Sequence, residues 1–274
     1  MCKWKPLKPL DDIKLFSFQK TTIAYKYYNK KNGNKTILFL YGFGANILMA
    51  DQFAPHLAEL GFTVLTIDYP GHGYSPKNYN ISMEMISELL IKLLKSLGEE
   101  KIILAGYSFG GIVSLDFYSK YKDKIEKYIL IHTTYFFKNS FYKKIIFNLF
   151  EKMLKSHFYF TINYIAIPVL RDFFFTGKQI KDARFTAMKN DKQSVIKMFD
   201  VTINKDMNSV LKCIDCPVLV IGSNIDLLIS RNTSVKISRI IKNCKLKIFA
   251  FYGHYSIMSR PKITANIIND FINE

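Results

Sequence analysis

The sequence predicts an α/β fold: a mostly parallel central sheet flanked by helices, interrupted by an inserted helical cap. Three observations predict it. The short runs "TILFLYG", "FTVLTID", "KIILAGY", "YILIHT", "PVLVIG" and "LKIFAFYG" are apolar without alternation. A strand apolar on both faces is covered on both faces, as in a parallel sheet between helices. Segments of helical period separate these runs, which is the alternation of an α/β chain. From about Tyr135 to Asp206 no strand pattern occurs, and 16 of those 72 residues are Phe or Tyr against 15% aromatic in the whole chain.

The elements follow in order. "KLFSFQ" and "TIAYKYY" alternate and read as two strands, joined to the rest through the turn signal Asn32-Gly33-Asn34. After the next two strands, Ile81, Met85, Leu89, Leu93 and Leu97 recur at four-residue steps, the spacing of one helical face, and Gly98 supplies the stop. "KIILAGY" leads through a serine turn into the helix-like "IVSLDFYSKY". Aromatic stretches such as "FYKKIIFNLFEKMLKSHFYF" fill the insertion. At the end of the chain, Ile263, Ile267 and Phe271 repeat the helical spacing after Pro261, a residue suited to a first helical turn. The expected division is a core of residues 1–134 and 207–274 with a cap of residues 135–206.

Composition narrows the function classes. A chain of 274 residues with 49% hydrophobic and 22% charged residues can bury a large core. "MCKWKPLKPL" lacks the apolar centre of a signal peptide, and no run reaches the roughly 18 uncharged apolar residues of a spanning helix, so a cytoplasmic location is expected. Cys213 and Cys216 form a lone C-x-x-C without a second ligand pair at zinc spacing, so neither metal nor disulfide framework is expected. The net charge is +17, but its lysines are dispersed and accompany no nucleic-acid-binding signature, so no nucleic-acid partner is expected. One surface reading remains, with "HFYFTINYIAIPVL" in the cap lying on a membrane.

The chemistry centres on "LAGYSFGG". Gly106-Tyr107-Ser108-Phe109-Gly110 fits G-x-S-x-G, a strand-to-helix turn so tight that flanking side chains would clash, with the serine at its apex. Serine is a weak nucleophile until a base takes its proton, so the reading requires a histidine and an acid to orient it. Of five histidines, His56 lies in a helix, His132 ends an apolar strand, His157 sits in the cap and His72 shapes the turn "PGHGYS". His254 follows the last strand in "FAFYGHYSIMSRP", at the carboxyl edge of the sheet where α/β folds place their chemistry. Asp226 follows "PVLVIG" at the same edge, whereas the loop after "YILIHTT" holds no carboxylate and Asp200, Asp206 and Asp215 precede the strand. Ser108, Asp226 and His254 are therefore the candidate nucleophile, acid and base.

That chain order, and three further segments, resemble the α/β-hydrolase family. "LFLYGFGAN" resembles its H-G-x-G loop, "VLTIDYPGHGYS" its D-x-x-G-H-G-x-S segment, and "GHYSIMSRP" its histidine loop with a proline seven residues on. Tyr41 departs from the family's histidine, and Ser223 from a common glycine before the acid. The resemblance covers nearly the whole chain outside the cap. It implies an oxyanion hole from the backbone N–H groups of Phe43 and Phe109, and a cap roofing the nucleophile. Tyr41, Phe136, Phe137, Phe173, Phe174 and Phe175 are then the candidates to line the substrate pocket. A serine at position 108 argues against branches that need a carboxylate nucleophile. The expectation is a serine esterase acting on small to medium apolar esters with no cofactor. Thioester, lactone and carbon–carbon bond hydrolysis share the same oxyanion, and a small-molecule receptor on the same fold is the alternative from another class.

Overall fold

A computed structural model describes residues 12–29, 35–137, 152 and 189–274. Eight strands form one sheet in the order β1-β2-β4-β3-β5-β6-β7-β8. They are β1 (Ile13–Phe18), β2 (Thr21–Tyr28), β3 (Thr36–Leu40), β4 (Thr63–Ile67), β5 (Ile102–Tyr107), β6 (Ile125–Ile131), β7 (Val218–Ser223) and β8 (Cys244–Phe249). β1 and β2 pair antiparallel, as do β2 and β4, while every other neighbouring pair is parallel. Every residue of the central strands β3, β4, β5 and β7 is buried, as their unbroken apolar character requires. The outer strand β8 instead exposes Lys245 and Lys247, charges that discourage edge-to-edge pairing.

Nine α-helices are described: α1 (Ile47–Ala50), α2 (Ala54–Glu59), α3 (Met83–Ser96), α4 (Phe109–Tyr121), α5 (Lys192–Ile203), α6 (Asn208–Lys212), α7 (Arg231–Ile240), α8 (Ser256–Ser259) and α9 (Pro261–Asn273). Ser82 caps α3, its hydroxyl accepting from Met85 N, and the chain leaves the helix through Gly98 at φ +75°. α4 is buried nearly all round, from Phe109 to Tyr118, because it packs beneath the centre of the sheet. The final helix begins at Pro261, but its buried face is Thr264, Ala265, Ile268, Phe271 and Ile272. Ile263 is exposed, so the stripe expected through Ile263 and Ile267 is rotated from the face that packs. Ala265 and Thr264, which the apolar spacing did not mark, lie on the buried face instead.

Between β6 and β7 the described part of the insertion is helical in α5, and its two ends meet. Met207 N donates to Tyr135 O at 2.8 Å, and Asp191 N donates to Gly71 O at 2.7 Å. The turn signal Asn32-Gly33-Asn34, the apolar segment "HFYFTINYIAIPVL" and His157 lie outside the described residues. Among the described residues, no helix is long and apolar enough to cross a membrane.

Candidate active site

Ser108 sits between β5 and α4 at φ +53°, ψ −120°, a left-handed conformation rare for a residue with a side chain. Two glycines make the turn possible. A Cβ on Gly106 would lie 2.3 Å from Ser114 Oγ, and one on Gly110 would lie 2.2 Å from the carbonyl oxygen of Leu40. Ser108 N donates to Ile131 O at 2.9 Å, and Thr133 Oγ1 donates to Ser108 O at 2.6 Å. Strand β6 and its following loop thus hold the turn from one side.

The parallel sheet delivers the other two groups to the same edge. Asp226 follows β7 and His254 follows β8, and both are buried. His254 Nε2 lies 2.8 Å from Ser108 Oγ, and its Nδ1 lies 2.8 Å from Asp226 Oδ2. A carboxylate oxygen facing Nδ1 places the ring proton there and leaves the Nε2 lone pair for the serine hydroxyl. Tyr107 OH donates to the His254 carbonyl at 3.1 Å, and its ring lies 5.4 Å from the imidazole, so the residue before the serine also supports the histidine. Asp226 Oδ1 accepts from Leu228 N and Ile229 N, both at 2.8 Å. Burial pushes the Asp226 carboxyl up, but the imidazoles of His254 and His132 on its other oxygen hold it well below the usual carboxylate range. Ser223 does not occupy a left-handed conformation. Its hydroxyl accepts from Ile225 N at 3.0 Å and shapes the turn into Asp226.

The loop after β3 runs beside the serine. A Cβ on Gly42 would lie 3.3 Å from the Cβ of Ser108, so Phe43 follows directly from the contact. The Phe43 and Phe109 rings stand 5.6 Å apart. Tyr41 is not brought to a pocket. Its side chain is only 1% exposed, and its phenol donates to Asp68 Oδ1 at 2.5 Å and to the Ile67 carbonyl. Asp68 also accepts from Ile47 N at 2.6 Å and Tyr74 N at 2.7 Å, and burial pushes its carboxyl up to about 6 against these donors. On the neighbouring turn, burial pushes His72 down to about 4 while its Nδ1 lies 3.1 Å from Pro70 O.

Of the candidate pocket aromatics, Phe137 is buried and stacks on Phe109 at 6.2 Å, and Phe136 is half-buried. Phe173, Phe174 and Phe175 lie outside the described residues. Sequence reasoning missed three residues. Phe199 on α5 meets Phe43 at 5.5 Å, completing a cluster of four phenylalanines above the serine turn. Asn190 donates from Nδ2 to Gly44 O at 2.6 Å, while its Oδ1 accepts from Gly73 N at 2.9 Å and Asn46 Nδ2 at 3.0 Å, fastening the insertion to both core loops. His132 reaches Asp226. Only the helical period of α5 hinted at Phe199, and nothing in local sequence marked the other two.

The fold and the chain's relatives define an enzyme of the hydrolase class. Residues 35–261 match the family model for the alpha/beta hydrolase fold, and the chain belongs to that family. It is similar to the pimeloyl-[acyl-carrier protein] methyl ester esterase of Wigglesworthia glossinidia brevipalpis, with 26% identity over 89% of this chain and 95% of that one. Among solved structures it resembles an esterase from Exiguobacterium antarcticum, with TM-score 0.85, 15% identity and coverage of 93% and 96% of the two chains. It also resembles an enol-lactonase from Burkholderia xenovorans LB400, with TM-score 0.82, 19% identity and coverage of 95% and 100%.

Proposed function

We propose that the chain is a serine esterase that cleaves carboxylic esters of small to medium apolar acyl groups through an acyl-enzyme. The observation that carries this reading is the 2.8 Å approach of His254 Nε2 to Ser108 Oγ, with His254 Nδ1 at 2.8 Å from buried Asp226. His254 takes the Ser108 proton as Oγ bonds to the ester carbonyl carbon, and the carbonyl π electrons move to oxygen. The backbone N–H groups of Phe43 and Phe109 receive that oxyanion, each such donor contributing on the order of 3 kcal/mol. The intermediate collapses, the leaving alkoxide takes the proton from His254, and water repeats the sequence to release the acid. Asp226 stabilises the imidazolium in both halves.

The rings of Phe43, Phe109, Phe137 and Phe199 support an apolar acyl site, to which the described part of the insertion contributes Phe137 and Phe199. Each substrate methylene buried there contributes about 0.8 kcal/mol. The near-full-length similarity to a pimeloyl-[acyl-carrier protein] methyl ester esterase makes the methyl ester of a carrier-bound acyl chain the first natural candidate.

The test is a hydrolysis panel of free and carrier-bound methyl esters, p-nitrophenyl esters, thioesters and lactones, with fluorophosphonate labelling followed by intact mass. Ester turnover with one adduct, both lost in Ser108→Ala, is expected. Labelling that persists in Ser108→Ala overturns the nucleophile, and turnover confined to thioesters or lactones overturns the bond type. Tight ligand binding without turnover identifies a receptor.

A further inference from the structure

Asp226 Oδ2 faces two imidazoles. Besides His254, His132 Nδ1 lies 3.3 Å from the same oxygen, and both of these side chains are fully buried. The His132 Nε2 lies 2.7 Å from the hydroxyl of Ser256, two residues beyond His254. One ring therefore touches both the acid loop and the histidine loop. His132 holds this place at φ +44°, a conformation few residues with side chains adopt, and its backbone N–H donates to Ile221 O on β7 at 2.8 Å. Asp226 and His254 are the titratable groups facing the ring among the described contacts, with Ser256 and the ring of Phe249 beside them.

We infer that His132 is a positioning residue for the Ser108, Asp226 and His254 site, an inference that rests on the reading of that site as catalytic. A proton on Nδ1 directs it toward the Asp226 carboxylate, so Nε2 lacks a proton and accepts from the Ser256 hydroxyl. In this form the ring is hydrogen-bonded at its Nε2 edge and lies 3.3 Å from the carboxylate at its Nδ1 edge. It ties Oδ2 to the loop that carries His254, and it withdraws part of the carboxylate's charge from the base. A leucine of similar bulk would fill the same space without the donor. The backbone conformation limits what else fits, and asparagine is the residue that tolerates it and offers an N–H near the position of Nδ1.

The experiment compares wild type, His132→Leu, His132→Asn and Ser256→Ala in kcat, KM and the pH profile of p-nitrophenyl ester hydrolysis, with thermal unfolding measured alongside. His132→Leu is expected to lower kcat by about tenfold to a hundredfold with little change in KM, the size of one hydrogen bond to a charged group. Its acid limb moves up, because the undivided carboxylate favours the proton on the base. His132→Asn recovers most of kcat and returns the limb toward wild type, and Ser256→Ala shows a smaller fall. Equal kcat and equal limbs in wild type and folded His132→Leu overturn the inference, as does equal impairment of the Leu and Asn variants. If His132→Leu does not fold, an unchanged kcat in Ser256→Ala overturns it. Full turnover in Ser108→Ala instead overturns the reading of the site itself, which separates the two failures.

Discussion

Tyr41 Oη donates to Asp68 Oδ1 at 2.5 Å, joining the start of the loop that carries Phe43 to the strand end that begins "DYPGHGYS". The phenol stands where the family's histidine would be and reaches a carboxylate already held by two backbone N–H groups. Tyr41→Phe keeps the ring but removes a donor from a buried carboxylate, a loss of about 1.5–3 kcal/mol. Urea unfolding at pH 7.5 is expected to show this loss, with ester turnover reduced because the Phe43 segment is less firmly held. Unchanged stability would mean that the phenol is not a net contributor.

Asp68 and His72 oppose each other as pH changes. Asp68 rises from its ordinary 3.8 to about 6, so the folded state holds its proton longer and stability falls as pH increases from about 4 to 6. His72 drops from 6.5 to about 4, so the unfolded state protonates first and stability falls as pH decreases through the same window. Each shift is about two units, or about 3 kcal/mol at 1.36 kcal/mol per unit, and the slopes nearly cancel. Asp68→Asn should therefore gain stability by about 3 kcal/mol between pH 4 and 6.5, whereas His72→Asn should lose a similar amount between pH 4 and 6. Denaturant unfolding at several pH values measures both slopes, and identical slopes in the two variants would contradict the assignment.

Gly110 is the second residue of α4, where alanine would ordinarily add about 1 kcal/mol of helix stability. Here its Cβ would meet the Leu40 carbonyl oxygen at 2.2 Å and that of Tyr41 at 2.5 Å, backbone atoms that cannot rotate away. The clash outweighs the propensity, so Gly110→Ala is expected to lose about 3 kcal/mol and most activity. A rise in melting temperature would refute it.

Asp226→Asn keeps the side-chain shape but loses the charge beside the imidazolium. Turnover is expected to fall by roughly three to four orders of magnitude, with KM changed little. The amide also leaves Leu228 N and Ile229 N their acceptor, so the loop keeps its turn. Steady-state kinetics with circular dichroism checks both parts, and near-wild-type turnover would move the acid elsewhere.

The strands were legible because burial on both faces removes polar alternation, as in "TILFL" and "VLVIG". Ser108, Asp226 and His254 were legible as candidates because each sits in a short loop just past an apolar run, and the sheet then brings them together. His132 was not legible. Its partner Asp226 lies beyond the whole insertion, and only the β6–β7 pairing makes them neighbours. Tyr41 was named among the pocket candidates, yet its phenol reaches back to Asp68 and supports the loop that carries Phe43. Asn190 gave no signal, because a carboxamide in a polar stretch looks alike whether it faces solvent or bridges two loops.

The hydrogen bond from Met207 N to Tyr135 O and the Asn190 clasp fix the insertion to the core at two separate points. In polymer terms, the segment between them is a loop whose ends are already closed. Closure entropy grows only logarithmically with length, so doubling such a loop costs about 0.6 kcal/mol. Each tether therefore costs little closure entropy for the length of chain it spans, while the serine turn is held separately by β6 and the loop after it.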